Sequence, residues 1–220
     1  VNSLNERARA ADWGKEPKPT LEDVAGNHAC LLRLADLSGL CLIVIALDFR
    51  YFFHQFLFMA SQVWKMGALL PTRADDGGIA WRFALEYVMS MGAHPSSRVA
   101  QRFANELMAE LLRRFDEADA PFLQHEPEEL QRVMARRAQL KHDEFGTHAR
   151  LADAVQFTDD PLACAVGAPR TVRLLRTLFD LVGPRGMRLM LAKWHKMNLG
   201  SHVTWYGAAI ASPLGCVWIP

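Results

Sequence analysis

Cysteine is scarce in this 220-residue chain, and Cys30, Cys41, Cys164 and Cys216 lie far apart with no CxxC pair. That spacing argues against a zinc site and against a disulfide framework, and an intracellular, reducing compartment fits it best. Long hydrophobic runs are lacking too. The longest, from Cys41 to Leu47, falls far short of the roughly 20 residues a membrane-spanning helix needs, so no membrane partner is expected and the run reads as a buried strand. No initiator Met and no basic-then-apolar leader precedes the polar opening VNSLNERARAADWGKEPKP, so the chain reads as a fragment. Charge of one sign is also missing: the net charge is +1, and any electrostatic footprint for nucleic acid must be local. There is no internal repeat and no GxxxxGK[ST] loop, GxSxG elbow or GxGxxG turn, which removes the commonest nucleotide-binding and hydrolase signatures.

What is present is globular. Half the residues are hydrophobic and about a fifth are charged, enough for one real core, either a single domain or a domain with a lobe. Thr20 with Asp23 offers a capping-box start for a helix over residues 21–38. Residues 40–58 are the most strand-like part of the chain, with Val and Ile before Asp48 and aromatics after it. PTRADDGGI at 71–79 is a loop or hairpin tip between two strands. From Ser96 the apolar residues recur at helical spacing until Pro121, and residues 128–141 repeat the helical period with many charges. AVQFTDDPLACAV at 154–166 is a hairpin. Residues 168–181 are helical with a Gly183-Pro184 stop, and 187–191 and 203–207 are short strands. The order strand, long helix, hairpin, helix, strand is the β-α-β-β-α-β alternation of a split βαβ sheet, an α+β fold. One local basic cluster exists: Arg170, Arg173, Arg176, Arg185, Arg188, Lys193 and Lys196, against Asp180 alone. A solvated helix face accounts for it without a ligand.

Two acidic signals carry chemistry. FTDD, Phe157 to Asp160, falls at the tip of the hairpin. Adjacent carboxylates on a strand point to opposite faces, so a tight turn is what lets them converge on a cation. Alone, such a pair is ordinary turn chemistry. Asp48 closes the apolar run CLIVIAL, where a carboxylate is costly unless hydrogen-bonded or bound to metal; a helix cap or a salt bridge explains it equally. Jointly they say more. In a split βαβ sheet the first strand and the hairpin are neighbours, so Asp48, Asp159 and Asp160 could share one site for two Mg²⁺ or Mn²⁺ ions.

At this point the chain resembles a known family. IALDFRYFFHQF (45–56) is similar to the first palm motif of retroelement reverse transcriptases, and MGAHPSSRVAQRF (91–103) to the second. FTDD is similar to the third, tyrosine-x-Asp-Asp, GMRLMLAKW (186–194) to the fourth, and VTWYG (203–207) to the hairpin that grips the primer. Five motifs in family order carry the resemblance. It implies a polymerase palm over residues 41–220, with a fingers hairpin at about 58–90 and a primer-grip-like hairpin at about 194–210, after residual fingers and an N-terminal helix at 1–40. It also implies RNA-directed DNA synthesis on a primed RNA or DNA template from deoxynucleoside triphosphates. Asp48, Asp159 and Asp160 would hold the metals, with the carbonyl of Phe49 as a further ligand. Phe53 would close against the sugar 2′ position, Met91 and Gly92 would lie under the incoming nucleotide, and Lys193 would be the basic residue of the fourth motif. Gln101, Phe157, Thr158, Trp205, Tyr206 and Gly207 fall to the template and primer side.

The chain departs from the family at Phe157, in place of Tyr, and at Ser97, where many relatives have Pro. Arg7, Arg9 and Lys15 match no triphosphate-binding motif, and sequence for a thumb, ribonuclease H or integrase is absent. A catalytically decayed remnant, or an RNA-binding module of the same topology, is therefore the rival. Carboxylates at FTDD would repel RNA phosphates unless cations intervene, which favours the polymerase. His142, Asp143, Glu144 and His148 have metal-ligand chemistry without HExxH spacing. Trp64, Trp81, Trp194 and Trp205 are read as core or edge packing.

Overall fold

Thr20 begins the first helix as its sequence demands. Its hydroxyl accepts from the Asp23 N–H at 3.1 Å, and Asp23 accepts from the Thr20 N–H at 2.9 Å, a complete capping box. Helix α1 (Leu21–Ser38) ends at Gly39, whose φ of +66° supplies the left-handed turn and returns the cap N–H to Ala35 and Asp36. The structure is a computed structural model describing residues 16–57, 60, 61, 63, 67–89, 96–140, 150–185, 198–211 and 216–219. Its elements continue as β1 (Leu42–Ala46), β2 (Gly67–Arg73), β3 (Ile79–Leu85), α2 (Ser96–Leu123), α3 (Glu128–Leu140), β4 (Ala152–Phe157), β5 (Asp160–Val166), α4 (Ala168–Val182), β6 (Asn198–Gly200), β7 (His202–Trp205), β8 (Ala208–Ala211) and β9 (Cys216–Trp218).

The chain forms two compact units, one containing Tyr51–Ala100, the other Pro17–Arg50 with Gln101–Pro220. In the larger unit an antiparallel sheet has the order β4-β5-β1-β6, so the chain returns twice to the flanks of its first strand. LIVIA suits the centre of that sheet because it is apolar on both faces and almost wholly buried. On one face Val44, Leu162 and Cys164 share a core with Leu31 and Leu34 of α1 and with Val203 and Ile210 of a second sheet, β7-β8-β9. Helix α4 packs back on β5. The smaller unit holds the β2–β3 hairpin and a 3₁₀ turn, Phe52–Gln55, in which Phe52 packs edge-on against Phe56 with centroids 5.1 Å apart. Among the described residues no helix is long and apolar enough to cross a membrane.

Three expectations change. The strand expected over 40–58 stops at Ala46, and the aromatics beyond Asp48 form the 3₁₀ turn instead. Tyr51, at φ +50°, turns the chain out of extended geometry. Pro121 does not end α2, which runs to Leu123; a proline near a helix end sacrifices one backbone bond rather than a run of them. The basic cluster is a solvated face only in part: Arg176 is exposed, but its two neighbours upstream are not. Arg170 is buried and bonded to Asp119 and Glu126, and Arg173 bonds Asp119 as well, so these charges are spent inside the protein. The side chains of Arg185, Arg188, Lys193 and Lys196, the strand expected at 187–191, and His142 to His148 lie outside the described residues.

Candidate active site

The pairing of β1 with β5 decides where the acidic residues meet. Leu42 faces Val166 and Ala46 faces Leu162. The same register continues past the strand end, where the Leu47 N–H donates to the Pro161 carbonyl and the Phe49 N–H to the Asp159 carbonyl, each at 2.9 Å. Asp48 is thereby set opposite Asp160 at a non-hydrogen-bonded position. Such positions bring Cα atoms to about 4.5 Å, with both side chains on one face. Asp48 is 7% exposed, and Asp159 and Asp160 are partly buried. The backbone therefore gathers the three predicted acidic residues at one end of two central strands. Among the described residues, however, no three His, Cys, Asp or Glu side chains converge into a formed metal cluster. The facing pair fits a cation in chemical terms. Like charges directly opposite destabilise a strand pair, whereas a hard divalent ion between them takes both as ligands.

The hairpin tip is held from two sides. Phe157 pairs with Asp160, leaving Thr158 and Asp159 as a two-residue loop with Thr158 at φ +54°. Gln101, fully buried on α2, donates to the Gln156 carbonyl at 2.8 Å and accepts from the Thr158 N–H at 3.0 Å. Gln156 donates in turn to the Thr158 carbonyl. On the other side Trp205, buried at the end of β7, donates its indole N–H to the Asp160 carbonyl at 2.8 Å. Tyr206 and Gly207, both at positive φ, form the two-residue turn between β7 and β8, the geometry of a type I′ hairpin. Tyr206 lays its ring on Phe157, centroids 3.9 Å apart, and Lys18 sits 4.7 Å from the centre of the Phe157 ring.

Sequence reasoning placed Gln101, Trp205 and Phe157 near template and primer but missed that Gln101 and Trp205 clamp the carboxylate-bearing tip. The signal was there in part: a Gln inside an otherwise apolar helical stripe needs partners. Gln101→Leu is expected to cost about 2–4 kcal/mol, since it leaves the Thr158 N–H and the Gln156 carbonyl buried without their partner. Urea unfolding of parent and variant measures it; a loss below about 0.5 kcal/mol would mean the tip holds itself.

No family model matches the chain, and no curated protein matches it. Two telomerases are among the solved structures that are similar in shape. One is apo telomerase from Candida tropicalis, truncated from its C-terminal domain, at 11% identity and a TM-score of 0.49, matching 93% of this chain and 40% of that one. The other is telomerase from Candida albicans in complex with a TWJ fragment of telomeric RNA, at 8% identity and a TM-score of 0.46, matching 94% of this chain and 36% of that one. The chain spans well under half the length of either.

Phe53 lies in the 3₁₀ turn of the smaller unit, half-buried and edge-on to Phe52 at 6.1 Å. Met91, Gly92 and Lys193 fall outside the described residues. A groove of about 600 Å³ runs along β4 between α1 and α2, lined by Asn27, Asn105, Arg150 and Asp153 among others, and holds none of the predicted site residues. Burial pushes the Asp153 carboxyl up, against the Ala154 N–H, the Asn27 amide at 2.7 Å and the Arg150 charge.

Proposed function

We propose that this chain is the palm and partial fingers of a reverse transcriptase, an RNA-directed DNA polymerase working by two-metal nucleotidyl transfer. The observation that carries the reading is the register that sets Asp48 opposite Asp160 with Asp159 next to it. The sheet order β4-β5-β1-β6, read as the split βαβ sheet of a palm, supports it, with β2–β3 as the fingers hairpin and β7–β8 as the primer grip. Asp48, Asp159 and Asp160 would hold the two ions, with the Phe49 carbonyl as a further ligand. When bound, two Mg²⁺ ions would activate the primer 3′-oxygen and stabilise the leaving oxygen. The protein's own part is positional. Gln101 and Trp205 fix the height of the carboxylates, and the Phe157–Tyr206 stack stiffens the surface beside them on which a primer end would rest.

Choice of sugar tests the first motif separately. Phe53 is taken as the floor beneath the nucleotide C2′, where a ribose hydroxyl collides with the ring. Overpacking of that kind costs about 1–3 kcal/mol, roughly five- to 150-fold. In a chain extended with the fingers and thumb segments that a primer–template needs, Phe53→Val is expected to raise ribonucleotide use relative to deoxyribonucleotide use by a factor in that range. The readout is the ratio of kcat/KM for the two sugars, with melting temperatures alongside. An unchanged ratio in a folded variant would remove Phe53 from the site.

A further inference from the structure

The β2–β3 hairpin has a face that water alone does not explain. Its register sets Leu69 opposite Phe83 and Pro71 opposite Trp81, with Ile79 and Leu85 on the same side. Leu69, Ile79, Trp81 and Phe83 are 64%, 75%, 65% and 63% exposed. The sequence IAWRFAL alternates large apolar with small or charged residues, the pattern of a strand that covers one face. The face is also flat at its base, because the Phe83 ring lies over Gly67, where a Cβ would come within 2.2 Å of it. A two-stranded hairpin left uncovered is marginal in water.

Charge and area decide what covers it. Arg73, opposite Ile79, is the one cation that β2 and β3 place on this face, Arg82 lying on the other, and Asp75 and Asp76 follow in the turn; a platform for single-stranded nucleic acid needs a cationic groove beside its aromatics. The four most exposed side chains present roughly 500 Å² of apolar surface, at the scale of the largest patch on a soluble monomer. Doubled by a twofold axis, that is about 1,000 Å², the lower bound of a specific interface. We infer that this face docks on the same face of a second copy of the chain, hairpin on hairpin, in a self-complementary contact. The inference rests on the hairpin alone and stands apart from the polymerase reading.

Sedimentation velocity on the whole chain from about 1 to 100 μM tests it, a range that detects weak self-association. A concentration-dependent dimer is expected. Trp81→Thr and Phe83→Thr keep strand propensity on an exposed face, and each should move the midpoint at least about tenfold higher in concentration. Leu70→Thr, on the opposite face, should leave it in place. A monomer throughout, a dimer indifferent to Trp81 and Phe83, or a face protected only when single-stranded RNA is added would each overturn the inference.

Discussion

Asp159→Asn is expected to remove Mg²⁺-dependent primer extension in a chain completed with fingers and thumb, by about three orders of magnitude. The size follows from the chemistry. A metal site supplies several kcal/mol of charge stabilisation in the transition state, and each 1.36 kcal/mol is tenfold in rate. Replacing one carboxylate oxygen by an amide nitrogen takes a negative charge from that site at nearly constant volume. The backbone contact that ties Asp159 to the first strand uses its carbonyl, which the substitution keeps. Folding should stay nearly intact because the volume hardly changes, and thermal unfolding of parent and variant checks that the lost extension is not a lost fold. Extension at the parent rate would return FTDD to ordinary turn chemistry.

Asp119→Ala should have the largest effect on stability. Asp119 is 3% exposed and accepts from Arg170 Nε at 2.8 Å and from Arg173 Nη2 at 2.7 Å. Arg170 is equally buried and also reaches Glu126 at 2.6 Å. Burial works against its charge, but the hydrogen bonds it donates to Asp119 and Glu126 outweigh that and raise its pKa. Removing Asp119 strands a buried guanidinium on one partner, which costs about 3–5 kcal/mol. For a chain of this length that lowers the melting temperature by roughly 6–20 °C. The double substitution Asp119→Leu with Arg170→Met should recover part of it, because the most deeply buried charges are gone while Arg173 and Glu126 retain some access to water. If the single variant melts within about 2 °C of the parent, the ion pairs do not pin α4 to α2.

How much of this could be read from residues alone follows from the range of each interaction. The start of α1 was legible because Thr20 and Asp23 act across three residues. The FTDD hairpin was legible because apolar alternation on both sides left Thr158 and Asp159 as the turn. The reach of β1 was not, because Phe52, Phe53 and Phe56 have high strand propensity, while the left-handed Tyr51 and the packing of the rings on one another favour the 3₁₀ turn. Arg170 and Arg173 misled for a related reason: Asp119 and Glu126 lie 44 to 54 residues from the arginines they neutralise. Gln101 was found by its motif, but its work on the hairpin tip depends on a contact 57 residues away. Proximity of Asp48 to FTDD was inferred from topology, and the backbone register makes it specific.

Asp48 and Asp160 lie opposite each other, and the proposed function requires that they hold a divalent cation. Titrating the chain with Mn²⁺ and following the free ion by electron paramagnetic resonance tests it without a primer, template or any added domain. The expected result is a saturable site in the parent that weakens at least about tenfold in Asp48→Asn and in Asp160→Asn, the loss of one charged ligand being worth about 1.5–3 kcal/mol. Equal Mn²⁺ affinity in the parent and both variants would contradict it.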